Sequence, residues 1–398
     1  MENRNKRATR STKRKAPEDI HSTRNLTDAK AKESAKGKFK TSQVTNVPVG
    51  NNTRGFPTFP DELFLEVLSY YPTPCDLVST EASEYQVADV IEYATRRDTL
   101  LALSQTCRSL RRFFRPYIWS RIEVCSGIRT GVRVLSKGQS HTAVKRKHNE
   151  ELVRQLEIVT VRDPSLAEYV KLINVEVREY SAPTVLAELA RCMALFRHLR
   201  TVKLGMYPSK LRSDRLYTAA RKAFSQYSYP QIEVAILSRS AYPLLRSCPS
   251  VRSVDRMDGH WRLAFYANSG FWDCIQSFCT KVESLTMNMK GGDAQEILRA
   301  LPNLRQITLR FHSGHYSTTL ISDQFAMLER LQHLQSIRIE TTPSVDASGR
   351  QYIVDLAVQL LLKLQLEDKE DKEVNLWHMT GKHKTEATYL PAPKLKQN

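Results

Sequence analysis

The chain has 398 residues, 41% of them hydrophobic, and a formal net charge of +18. That is enough apolar content for a substantial core spread over two or three domains. No stretch approaches 18 uncharged apolar residues and the first 25 lack an apolar run, so neither a helical membrane span nor a secretory signal is expected.

The charge is uneven. Residues 1–55 hold fourteen Lys or Arg against five Asp or Glu, half the net charge in about a seventh of the length. Few apolar residues interrupt the Lys, Ser, Thr and Asn, which predicts a disordered basic arm. Lys6-Arg7 and Lys13-Arg14-Lys15 flank five residues in a split basic cluster, the pattern of a nuclear import signal, of a nucleic-acid patch or of a solvated tail with no reader.

A helix is predicted from Pro60, whose missing N–H costs nothing in a first turn; Asp61 and Glu62 favour its positive end. Leu63 with Val67, and Phe64 with Leu68, are i,i+4 pairs that merge into one apolar face. Pro72 and Pro74 end the helix. Residues 76–95 then carry Asp76, Glu81, Glu84, Asp89 and Glu92 with no Lys or Arg, an acidic insert read as a solvated flap. Asp98 is placed to cap a second helix with Leu100, Leu101 and Leu103. A third stripe, Cys107, Leu110, Phe113 and Phe114, closes at Pro116 before Trp119. Three short one-sided helices must pack on one another and on a partner.

Phe59-Pro60-Asp61-Glu62-Leu63, the segment Leu103-Ser104-Gln105-Thr106-Cys107-Arg108-Ser109-Leu110 and Trp119 together resemble an F-box. Phe59 stands in place of the family's first Leu, the second segment has one residue more, and residues 72–97 replace a short turn. The resemblance covers about 60 residues. It implies a substrate-recognition subunit of a Skp-cullin-F-box ubiquitin ligase, with no catalysis of its own. Phe59, Pro60, Leu63, Leu68, Leu101, Leu103 and Cys107 would then touch the Skp adaptor, and through it a cullin.

Residues 120–155, with Gly127, Gly131, Gly138 and Lys145-Arg146-Lys147, read as a flexible linker. From 156 to 366 the pattern apolar-x-x-apolar-x-apolar recurs as Val170-Ile173-Val175, Leu199-Val202-Leu204, Val282-Leu285-Met287, Leu304-Ile307-Leu309 and Leu334-Ile337-Ile339. Ile232-Val234-Ile236 is a less regular version and Val251-Val254 a fragment. The alternating pair ending each unit is a strand signal. Helical patterns lie between: Leu186, Leu189, Ala190, Met193 and Phe196; Leu216, Ala219, Ala220, Ala223 and Phe224; and two more capped by Asp293 and Ser322. The predicted fold class is α/β, a small helical F-box followed by an irregular strand/helix solenoid that resembles leucine-rich repeats. It departs from them at the Asn ladder position, occupied here by Arg178, Tyr207, Lys290, His312 and Thr342. The other reading of these units is an ordinary α/β domain. Ile353, Leu356, Ala357, Leu360, Leu361 and Leu364 predict a capping helix, and residues 367–398 a charged polar tail.

Catalytic and metal-site signals are weak. Seven cysteines at irregular spacing, with no C-x-x-C, fit reduced thiols in nucleus or cytoplasm rather than a disulfide framework or a zinc site. His312 and His315 lack supporting ligands. Trp261, Phe265, Phe271 and Trp272 read first as core and second as an interface patch. No cofactor or membrane partner is expected, and the target is an unidentified protein. The alternative function is a non-catalytic nuclear scaffold or nucleic-acid-associated protein, supported by the charge but disfavoured because the folded part carries no basic–aromatic reader motif.

Overall fold

The computed structural model describes residues 60–71, 87–125, 141–206, 208, 214–257, 270–288, 293–311, 318–342, 344–364, 373–380 and 383–389. Phe59, the basic clusters at 6–15, the acidic insert up to Gln86, and His312 and His315 lie outside the described residues.

The chain is mixed α/β, with a ten-stranded sheet among the described residues. The strands are β1 (Arg121–Val124), β2 (Leu172–Val177), β3 (Thr201–Met206), β4 (Val234–Ser238), β5 (Ser253–Met257), β6 (Ser284–Asn288), β7 (Gln306–Phe311), β8 (Ser336–Thr341), β9 (Glu373–Thr380) and β10 (His383–Tyr389). They lie side by side in chain order. All neighbours are parallel until β9 and β10, which form an antiparallel hairpin.

Between strands run the helices α4 (His141–Glu157), α5 (Ala182–Leu195), α6 (Arg215–Phe224), α7 (Phe271–Phe278), α8 (Asp293–Ala300), α9 (Thr318–Leu328) and α10 (Ala347–Leu364), with a 3₁₀ segment at Arg239–Ser247 between β4 and β5. Each packs on the next in chain order, so they form one layer against one face of the sheet. The reason is in the triplets. Their first member and the two alternating strand residues are all buried in a single core with the helix faces.

One turn recurs in every unit. The amide of the first triplet residue donates to the carbonyl three residues back: Val170 to Ala167, Leu199 to Phe196, Ile232 to Tyr229, Val251 to Cys248, Val282 to Cys279, Leu304 to Leu301 and Leu334 to Leu331. The following residue bonds to its counterpart in the previous unit, at 2.8–2.9 Å from Arg200 N to Lys171 O through Glu233, Arg252, Glu283 and Arg305 to Gln335. Backbone groups that would be orphaned at the strand entrance are thereby satisfied. Along this ladder Arg200, Glu233, Arg252, Glu283 and Arg305 alternate in sign. The Arg252–Glu283 pair is 3.9 Å apart with both side chains well exposed, so it contributes little; the backbone bonds set the stacking.

At the far ends of β2 and β3 borrowed side chains stand in place of an Asn ladder. Asn149 on α4 accepts from Arg178 N at 3.2 Å and donates to the Arg178 and Tyr180 carbonyls. Ser238 Oγ accepts from Met206 N at 2.7 Å. Helix C-termini are closed from the next unit in the same way, Tyr229 Oη donating to Ala190 O and Gln231 Nε2 to Met193 O.

Several expectations are corrected. Residues 120–155 are not wholly a linker: Ile122 and Val124 extend the core of the sheet, and α4 packs on β1 and α5. Strands β9 and β10 occupy part of the expected polar tail, with Val374 buried beside Ile337. In β4 the helix-facing residues are Ala235 and Leu237, not Val234 and Ile236, because Ala235 pairs with Val202 and Leu237 with Leu204. The Val251-Val254 fragment is completed by Arg256, which pairs with Leu237 at a position apolar elsewhere. Ser322 lies inside α9 and does not cap it.

Candidate functional site

The first three helices form a second, smaller core at the β1 end. They are α1 (Asp61–Ser69), α2 (Val87–Thr106) and α3 (Arg108–Trp119). Pro60 is the residue before α1, its carbonyl accepting from Leu63 N at 3.1 Å. Cys107 is extended and its Sγ accepts from Leu110 N at 3.5 Å, capping α3 where the chain breaks from α2. Asp98 is not a cap, since α2 begins eleven residues before it. Pro116 does not close α3; it sits in the last turn.

Phe64, Leu68, Leu100, Leu110, Phe114 and Ile118 make this core, with the Phe64, Phe113 and Phe114 rings 5.0–5.9 Å apart. The sequence-predicted face of α1 therefore splits in two. Phe64 and Leu68 turn inward, while Leu63 is 47% exposed, Leu65 46% and Tyr70 79%. Leu101, Leu103 and Cys107 are half-buried at the α2–α3 junction, and Pro60 is exposed. Of the expected adaptor contacts that are described, Leu68 is the one with almost no surface to offer.

Trp119 packs against both cores and is stacked by Arg97, whose guanidinium lies 5.8 Å from the ring. Burial pulls the Arg97 pKa down, opposed by Glu123 and Glu151. Arg115 pairs with Asp163 and donates to Ser165 Oγ at 3.0 Å, tying α3 to the segment before β2.

The sheet face opposite the helices carries a row in register that is polar except at Ile236: Glu123, Asn174, Lys203, Ile236, Asp255, Thr286, Thr308, Arg338 and Asn375. Arg310, one pleat further along β7, reaches over β6 to grip Asp255 with two bonds of 2.7 and 2.9 Å and also donates to Glu340 at 2.8 Å. Arg338 Nε lies 3.2 Å from Glu340. Burial works against the Arg310 charge, but Asp255 and Glu340 outweigh it and raise its pKa. This network was missed at the level of sequence. Asp255 and Arg338 fill the position between the two alternating strand residues of their units, and Arg310 and Glu340 directly follow the second one.

The described cysteines are free thiols. Burial pushes Cys192 and Cys279 up to about 12, so they are not poised as nucleophiles. Among the described residues no group of His, Cys, Asp and Glu could hold a metal ion, and no helix is long and apolar enough to cross a membrane. Phe271 and Trp272 are core residues; Arg256 lies 4.7 Å above the Phe271 ring and faces Asp293 at 4.0 Å.

No protein-family model matches the chain, and no curated protein matches it.

Proposed function

We propose that this chain is a substrate-recognition subunit of a Skp-cullin-F-box ubiquitin ligase. The observation that carries the reading is the division of labour on α1. Leu63 and Tyr70, seven positions apart and so on one side of α1, are exposed, as is Leu65 on another side, while Phe64 and Leu68 enter the core against which the half-buried Leu101, Leu103 and Cys107 also pack. Large apolar groups left in water on a small helical unit are the mark of a surface that a partner covers. Their positions coincide with the segments that resemble an F-box.

The stacked units are read as a leucine-rich-repeat-like solenoid. Strand order, the repeated three-residue turn and the recurring triplets support it. Target binding is assigned to this part, with the polar sheet face as its centre. The chain supplies proximity between target and a ubiquitin-charged enzyme and does no chemistry itself, in nucleus or cytoplasm.

Co-purification with a Skp-type adaptor tests the reading. Wild-type chain retains the adaptor, and Pro60→Ala with Leu63→Ala loses it with the melting temperature unchanged, since both residues are exposed. No retention by the wild type overturns the ligase reading; undiminished retention by the double variant overturns the assigned contacts. Leu68→Ala is a poor probe, because it removes a core side chain.

A further inference from the structure

Helix α3 carries Arg108, Arg111, Arg112 and Arg115 and no acidic residue. At i, i+3, i+4 and i+7 they share one face, away from the buried Leu110, Phe114 and Ile118. Like charges at these spacings repel and weaken a helix. Arg115 is matched, by Asp163. Arg108, Arg111 and Arg112 are exposed and make no ion pair with a described residue. Arg111 Nε donates to Ser104 O at 3.2 Å, which lays the stripe along the last turn of α2. That turn carries Leu103, and Cys107 follows it at the helix junction. The stripe therefore borders the apolar surface assigned above to the adaptor.

We infer that the α3 stripe docks an acidic patch on that same adaptor and steers its approach. The inference rests on the adaptor reading. A row of three exposed guanidinium groups, in ion pairs with no described residue and beside an apolar surface, is complementary to a partner with an apolar centre and an acidic rim. Exposed rim charges act chiefly on association, and salt screens them over about 8–10 Å.

The experiment measures association and dissociation of full-length chain with a purified Skp-type adaptor, from about 50 mM to about 300 mM salt. Arg108→Glu with Arg112→Glu lowers the association rate at least about fivefold at the low end, changes dissociation less than about twofold, and flattens the salt dependence. Arg108→Gln with Arg112→Gln gives an intermediate rate. Arg305→Glu with Arg330→Glu, exposed and in the turns before β7 and β8, remote from the β1 end in the strand order, makes the same change in net charge and leaves the rate near wild type. If the α3 reversal binds as fast as wild type, or the remote reversal slows binding equally, the stripe is not the docking element and the inference falls while the adaptor reading stands. If it instead abolishes capture of a short DNA duplex with adaptor kinetics intact, the stripe serves nucleic acid and the inference is wrong. If wild-type chain binds no adaptor at all, both readings fall.

Discussion

Asp255 illustrates how one residue is held by opposing terms. Burial favours its neutral form and raises its pKa, while two short bonds from Arg310 favour the carboxylate. The arginine remains charged in either case, so the pair stands or falls together. Removing one partner of a buried pair usually costs about 3–5 kcal/mol. Arg310 keeps Glu340, so Asp255→Ala is expected at the lower end, about 3 kcal/mol by urea unfolding. Asp255→Leu with Arg310→Met removes both partners of the bidentate pair and leaves Glu340 paired with Arg338. It should return to within about 1 kcal/mol of wild type. A double variant as unstable as the single one would mean that the bond network, rather than the buried charge, sets the cost.

At the scale of the element, a strand here is defined by its neighbours. Ile307 is buried between Leu285 and Ile337 in one row, while Thr308 beside it faces the polar side. Ile307→Asp buries an unpaired carboxylate and should destabilise the sheet by more than about 3 kcal/mol. Thr308→Asp, one residue on and on the other face, should cost far less. Thermal melts of the two side by side check the register; equal losses would show that the two faces are not distinguished as described. Ala235 shows why the register was only partly legible. Alanine is a weak apolar signal, so Val234 and Ile236 outweighed Ala235 and Leu237 in the pattern. The hydrogen-bonded register with β3 decides otherwise, and Ile236 is buried on the polar face instead.

At the scale of the whole molecule, each unit buries its apolar face on the one before and the one after. Stability should then be highest where both neighbours are present. Hydrogen exchange is expected to be slowest in β3–β7 and to quicken toward β1 and the β9–β10 hairpin. Uniform protection from end to end would argue for a single all-or-none core. The helical end is not an independent bead, because Trp119 belongs to both cores and Arg115 pairs across to Asp163.

The amino-acid sequence by itself determined most element types between residues 156 and 366 and most of the core. Every member of the five regular triplets is buried, and so are Phe64, Leu110 and Phe114. Short-range periodicity suffices for this, since a residue's side of a strand or helix depends on spacing alone. Three things needed the tertiary structure. The split of the α1 face into a buried half and an exposed half depends on which helix lies against it. The entry of β1, β9 and β10 into the sheet depends on neighbours that supply the other half of each hydrogen-bond ladder. The Asp255–Arg310–Glu340 network joins residues 30 and 55 positions apart in the chain, and no local pattern encodes a contact that exists only once parallel strands have stacked.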